Sequence, residues 1–314
     1  MMLDTFAGNR QVVAALQTAL RAGTLPHAVL LAGSNGCGRN FAARSLAADR
    51  LFPAGGPAAD AIMRGESPDV LTVAGEGKSG QIPVEKVRAI RTEVHRSALG
   101  EAGRVVLIKD AHNMAAPAAN ALLKVLEEPP SEVLFILTAR DAAALPATVA
   151  SRCALYPLAP VSLDACEAIL QKAMPPGADA TLPRLLAVLY NGRAGLGLRA
   201  LQDPARLAVA QDAIATANAA ARRDSYALAA LLAGYEGRAD GDRERREALL
   251  ADLAGVLDAA LRMEAAPGLP ALPPAAAALL LPPLAEARLA LRGNAAPKIV
   301  FTGLVVQMAR AGAQ

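Results

Sequence analysis

An α/β domain built on a parallel sheet, followed by an all-helical second half, is the fold class that this 314-residue sequence predicts. Three observations carry it. Short apolar runs alternate with helical patterns as far as residue 160, which is the signature of parallel strands joined by crossover helices. The strands then stop. A glycine loop also stands between the first apolar run and its helix, where phosphate-binding α/β domains place one.

The elements follow in order. "HAVLLAG" (27–33) reads as a buried strand feeding the loop, and "NFAARSLAADRLF" (40–52) as the helix behind it. "DVLTVAG" (69–75), "RVVLIKD" (104–110), "EVLFILTAR" (132–140) and "CALYPL" (153–158) supply the other strands. A helix is expected over 83–99, with Val84, Val87, Ile90 and Val94 facing inward and Arg88, Arg91 and His95 sharing another side. The solvated reading of that basic side stands beside a DNA contact through Arg88 and Arg91. A second helix over 115–128 has Pro117 in its first turn, an apolar face of Leu122, Leu123, Val125 and Leu126, and a stop at Pro129 and Pro130. Glu127 and Glu128 fall at its electrostatically unfavourable end, where a solvated acidic pair is expected in preference to one compensated by a basic neighbour. Beyond the core, residues 161–204 read as a small helical subdomain with a Gly-rich turn at Asn191–Gly197, and 205–314 as helices throughout.

Composition limits the function. A hydrophobic share of 54% against 19% charged residues is that of a packed chain, and 3% aromatics with no tryptophan favours helices of small side chains over a β-sandwich. The net charge of +3 is mild and spread over both halves, unlike that of a protein that grips nucleic acid alone. Cys37, Cys153 and Cys166 are too scattered for a disulfide framework or a metal site, and read as small buried hydrophobes. The opening "MMLDTFAGNRQVV" does not read as a secretory signal. The apolar stretch "LPPAAAALLLPPLAEA" is expected to be cut by Pro274 and Pro282 short of a membrane span, so the chain is expected in the cytoplasm.

The loop "GSNGCGRN" departs from the phosphate-binding pattern G-x-x-x-x-G-K-[ST] at its two chemical positions. Gly33, Gly36 and Gly38 keep the frame, but Arg39 and Asn40 replace the lysine and the hydroxyl. Arginine forks where a point charge is wanted, and the loop reads as a relic link between strand and helix. Asp110 ends a β-branched strand, where such folds hold magnesium, yet Ala111 follows where a water-orienting glutamate stands in one ATPase class. Own-site hydrolysis therefore lacks both a phosphate lysine and a water activator.

"HAVLLAGSNGCGRN", "SPDV", "VEKVRAIRTEV", "RVVLIKDAHNMAAPAANALLKVLEEPP", "FILTAR" and "ATVASRCALYPLAP", in that order, resemble the delta-prime subunits of the bacterial DNA polymerase III clamp loader, within the AAA+ clamp-loader family. The resemblance runs through roughly residues 6–160. It implies an AAA+ core over 1–160, a helical lid over 161–204 and a helical collar over 205–314 that joins subunits in a ring. It also implies a stator role in loading the sliding clamp on primed DNA. On this resemblance Arg152, framed by Ser151 and Cys153, is an arginine finger that acts on the ATP and magnesium of a neighbouring gamma/tau-like motor. The delta subunit is a further implied partner. Thr138 matches the sensor-1 position and Gly195 replaces a lid arginine. "LFPAGGPAADAIMRGESPD" lacks the four cysteines of the zinc module that many relatives carry, so no zinc is expected and no cofactor of its own. The alternatives are a free-standing P-loop NTPase that hydrolyses ATP itself, and an ATP-sensing adaptor that does not hydrolyse it.

Overall fold

The computed structural model describes residues 1–77, 80–94, 103–130, 132–237, 239 and 241–311. The chain divides into two compact units, Met1–Val161 and Ser162–Gln314.

In the first unit, helix α1 (Arg10–Arg21) precedes strand β1 (Ala28–Gly33) and helices α2 (Arg39–Leu51) and α3 (Pro57–Arg64). Strand β2 (Val70–Val73), helix α4 (Val84–Val94), strand β3 (Arg104–Ile108) and helix α5 (Ala116–Glu127) follow. Strand β4 (Val133–Ala139), the short helix α6 (Ala147–Ala150) and strand β5 (Ala154–Leu158) complete the unit. The strands form one sheet in the order β2-β3-β4-β1-β5, and every pairing is parallel. Residues alternate between its faces. Leu30, Val106 and Phe135 pack with Ile90 and Leu122 on one side, while Val29, Leu107 and Ile136 pack with Leu16, Leu46 and Ile62 on the other. Covered on both faces, the central strands are apolar apart from Arg104 and Thr138, which is why they were readable as continuous runs.

Several expected boundaries move. Strand β3 ends at Ile108, because Asp110 turns into the left-handed region at φ 49° instead of extending the strand. Helices α1 and α3 were not anticipated. Helix α3 lies in the segment read only for its lack of cysteines, entered through Gly56 at φ 95° with Pro57 at its start. The tail of the 83–99 helix, with His95, and the Arg91 side chain lie outside the described residues.

The second unit is helical: α7 (Leu163–Lys172), α8 (Leu182–Leu189), α9 (Ala194–Gln202), α10 (Pro204–Ala221), α11 (Ser225–Ala233), α12 (Asp242–Leu261), α13 (Pro274–Arg292) and α14 (Pro297–Ala311). Two expectations fail here. The turn at Asn191–Gly197 is confined to Asn191 and Gly192, both at positive φ, and Gly195 and Gly197 lie inside α9. Gly197 is needed for close packing, since a Cβ there would stand 2.8 Å from the Leu170 methyls of α7. Pro282 does not cut the apolar stretch either: α13 runs through Pro282 and Pro283 for 19 residues. The lost backbone bonds cost about 3 kcal/mol, and burial of Ala277, Leu280, Leu284 and Ala287 against neighbours including α12 and α14 offsets that. By length and composition alone α13 could cross a bilayer.

A buried polar knot ties this unit together. Arg206 of α10 forks onto Asp252 of α12 with contacts of 2.5 and 2.6 Å, and the Tyr190 hydroxyl reaches the same carboxylate at 3.4 Å. The Arg206 guanidinium also lies 5.6 Å from the Tyr190 ring centre. Burial pushes the Asp252 carboxyl up, against the pull of Arg206, and raises the Tyr190 phenol well above its ordinary value.

Candidate nucleotide-type loop and surface arginine

The carboxyl ends of β1, β3 and β4 meet at one edge of the sheet, the place where open α/β sheets bind ligands. The loop after β1 has the shape its glycines require. Gly36 and Gly38 sit at φ 88° and 91°, and a Cβ on Gly38 would stand 2.7 Å from the Phe6 ring. Gly33 has no room for a Cβ either, with the Leu158 carbonyl oxygen at 2.3 Å. Phe6 stacks on Phe41 with ring centres 6.1 Å apart, so the N-terminal segment lies against the loop and the start of α2.

Arg39 fills this frame from within. Its side chain is 8% exposed. One terminal nitrogen donates to the Gly33 carbonyl at 2.5 Å and the other to Asp110 Oδ1 at 2.8 Å. Thr138 joins the network: its hydroxyl accepts from the Asp110 N–H at 2.9 Å and donates to Asn40 Oδ1 at 3.5 Å. Gly33, Arg39, Asn40, Asp110 and Thr138 are thus brought into one hydrogen-bonded cluster. Thr138 is fully buried and satisfies a backbone donor in the left-handed turn.

The donor set fits Mg·ATP poorly. The carboxylate that would face a metal accepts a guanidinium, and an amide replaces the hydroxyl ligand. Arg39 is also committed to protein acceptors instead of pointing into the loop as a phosphate ligand. His112 lies beside this cluster with Nδ1 buried and unpartnered. Burial holds its pKa below the usual value, helped by Arg140 and Arg39 and opposed by Asp110.

Arg152 stands elsewhere, on the turn after α6. It donates to the Thr148 carbonyl at 2.9 Å and pairs with Glu127 Oε1 at 2.6 Å. Glu127 is therefore not the solvated acid expected at the end of α5: a cation compensates it, as the helix dipole favours. Ser151 bonds back to Thr148 at 3.2 Å. Behind them Cys153 packs against the core, where burial pushes its thiol up to about 11. Arg88 borders an open hollow of about 520 Å³ with Pro117, Asn120, Ala121 and Lys124, a second cation that the sequence reading did not single out. Among the described residues, no group of three or more His, Cys, Asp or Glu could hold a metal ion.

The family model described as "DNA polymerase III, delta subunit" matches residues 8–162. Those residues are similar to both the delta and the gamma/tau subunits of DNA polymerase III. Curated relatives of both kinds resemble this unit. The DNA polymerase III subunit gamma of Buchnera aphidicola is 32% identical over 163 residues, covering 49% of this chain and 44% of that one. The subunit delta' of Escherichia coli is 40% identical over 99 residues, 32% of this chain and 30% of that one. The chain spans less than half the length of these curated relatives. A solved DNA polymerase III gamma subunit-related protein from Thermotoga maritima shares the fold, with a TM-score of 0.52 at 16% identity over 95% of this chain and 99% of that one. The parallel five-stranded sheet with a mostly helical C-terminal region is the fold that this chain shares with that structure.

Proposed function

We propose that this chain is a delta-prime-like stator of a DNA polymerase III clamp loader, contributing scaffold and Arg152 to a neighbouring motor in place of its own ATP hydrolysis. The observation that carries the reading is the Arg39 bridge between Gly33 and Asp110, which puts a protein cation where a working site keeps Mg·ATP. Ala111 and Gly195 supply neither a water-activating carboxylate nor a lid arginine, in keeping with a subunit that relies on its neighbours' sites. A free-standing NTPase would have to break the Arg39–Asp110 pair before each turnover.

In this reading residues 161–204 form the lid and 205–314 the collar, and the partners are gamma/tau-like motors and a delta subunit in the cytoplasm. Primed DNA and the sliding clamp are met through the complex. The Arg88 side of α4, next to Lys124, is the surface offered to DNA, with Arg91 on the same helix. Reconstitution tests the function. Clamp loading on primed DNA by gamma/tau-like and delta subunits is expected to fall to background when this chain is omitted and to return when it is added. Loading at full rate without it contradicts the proposal.

A further inference from the structure

Arg152 is not a free side chain, and what holds it is specific. Its two terminal nitrogens are anchored on different elements, one on the Thr148 carbonyl of α6 and one on Glu127 at the end of α5. The pair is half-exposed, with 36% of the Arg152 side chain and 49% of the Glu127 side chain accessible. Ion pairs so open to water add little to stability. Their effect on direction is larger, because an arginine left alone samples many rotamers and two fixed acceptors select among them. A guanidinium has five N–H donors, so the two contacts leave others free on the solvent side.

We propose that Glu127 is the positioning residue for Arg152, holding the guanidinium pre-oriented on the surface of the core so that its remaining donors meet a partner's phosphoryl oxygens. The inference rests on the reading of Arg152 as a finger acting in trans, and it adds a second residue, 25 positions away, to that device. No bond is made or broken by Glu127. Its contribution is to remove misdirected conformers, which matters because small misplacements of a reacting or stabilising group are costly to rate. The acid is also placed where α5 alone would disfavour it, so the pairing with Arg152 makes its position tolerable.

The test uses the complex reconstituted with its gamma/tau-like subunit, and steady-state DNA-stimulated ATP hydrolysis as the readout. Glu127→Ala and Glu127→Gln are expected to lower kcat at the interface served by Arg152 by about tenfold, with KM for ATP and the assembly of the complex unchanged. Glu127→Asp, a shorter acid, is expected to restore part of the loss. Glu127→Ala combined with Arg152→Ala is expected to be no slower than Arg152→Ala alone, because two residues acting as one device do not add. If Arg152→Ala slows hydrolysis while Glu127→Ala leaves it unchanged or raises it, the positioning role is overturned and the finger reading survives. An unchanged rate for Arg152→Ala overturns the finger reading, and this inference with it.

Discussion

On the proposed role of Arg152 as a finger in trans, Arg152→Ala is expected to slow ATP hydrolysis by the reconstituted complex by about 10³-fold, with the chain still folded and still assembled. The folded state should barely notice the change, since the side chain is half-exposed and its ion pair with Glu127 is open to solvent. The loss falls on the transition state. Charge spreads over the equatorial oxygens of the transferring phosphoryl, and a planar cation delivered at a subunit border neutralises it in a site that water has left. Arg152→Lys keeps the charge but loses the fork, so only a fraction of the rate should return. Single-turnover hydrolysis in the reconstituted complex reads this directly. Equal rates for wild type and Arg152→Ala would remove the residue from the mechanism.

Asp252→Ala is expected to destabilise the second unit by about 3–5 kcal/mol. Asp252 is 3% exposed and takes both terminal nitrogens of Arg206, so truncation leaves a guanidinium with 16% exposure and no counter-ion. The Tyr190 hydroxyl loses the same acceptor. The cost is that of an uncompensated buried charge and is not the net value of the pair. Replacing both partners, as in Arg206→Met with Asp252→Leu, should therefore recover most of the loss. Urea unfolding of the full chain followed by circular dichroism checks both variants. A change below about 1 kcal/mol for Asp252→Ala would mean that the knot is not under the electrostatic load described.

The parts of the fold that were legible are those where one physical rule dominates. Strands β3 and β4 are buried on both faces and cannot be confused with surface segments, so their apolar runs sufficed. Helix α3 was missed because eight residues between Gly56 and Gly65, the first of them Pro57, look like loop chemistry, although glycine and proline here serve as helix entry and exit. Helix α13 was misjudged because local proline rules were weighed without the tertiary burial of Leu280 and Leu284. At the site, Arg39 and Asn40 announced a changed loop by residue type. Their destinations did not show. That Arg39 turns onto Asp110, 71 positions away, depends on sheet order, which no local spacing encodes. Glu127 and Arg152 are a similar case, although an acid at a helix C-terminus is a signal that a cation lies near.

Titration of the isolated 314-residue chain with ATP, with and without magnesium, tests the claim on which the rest depends: that the home loop is closed by Arg39 and its work is done at a neighbour's site. No saturable binding below millimolar nucleotide, no benefit from magnesium and no turnover are the results predicted. Micromolar, magnesium-dependent affinity with turnover that survives dilution would contradict it.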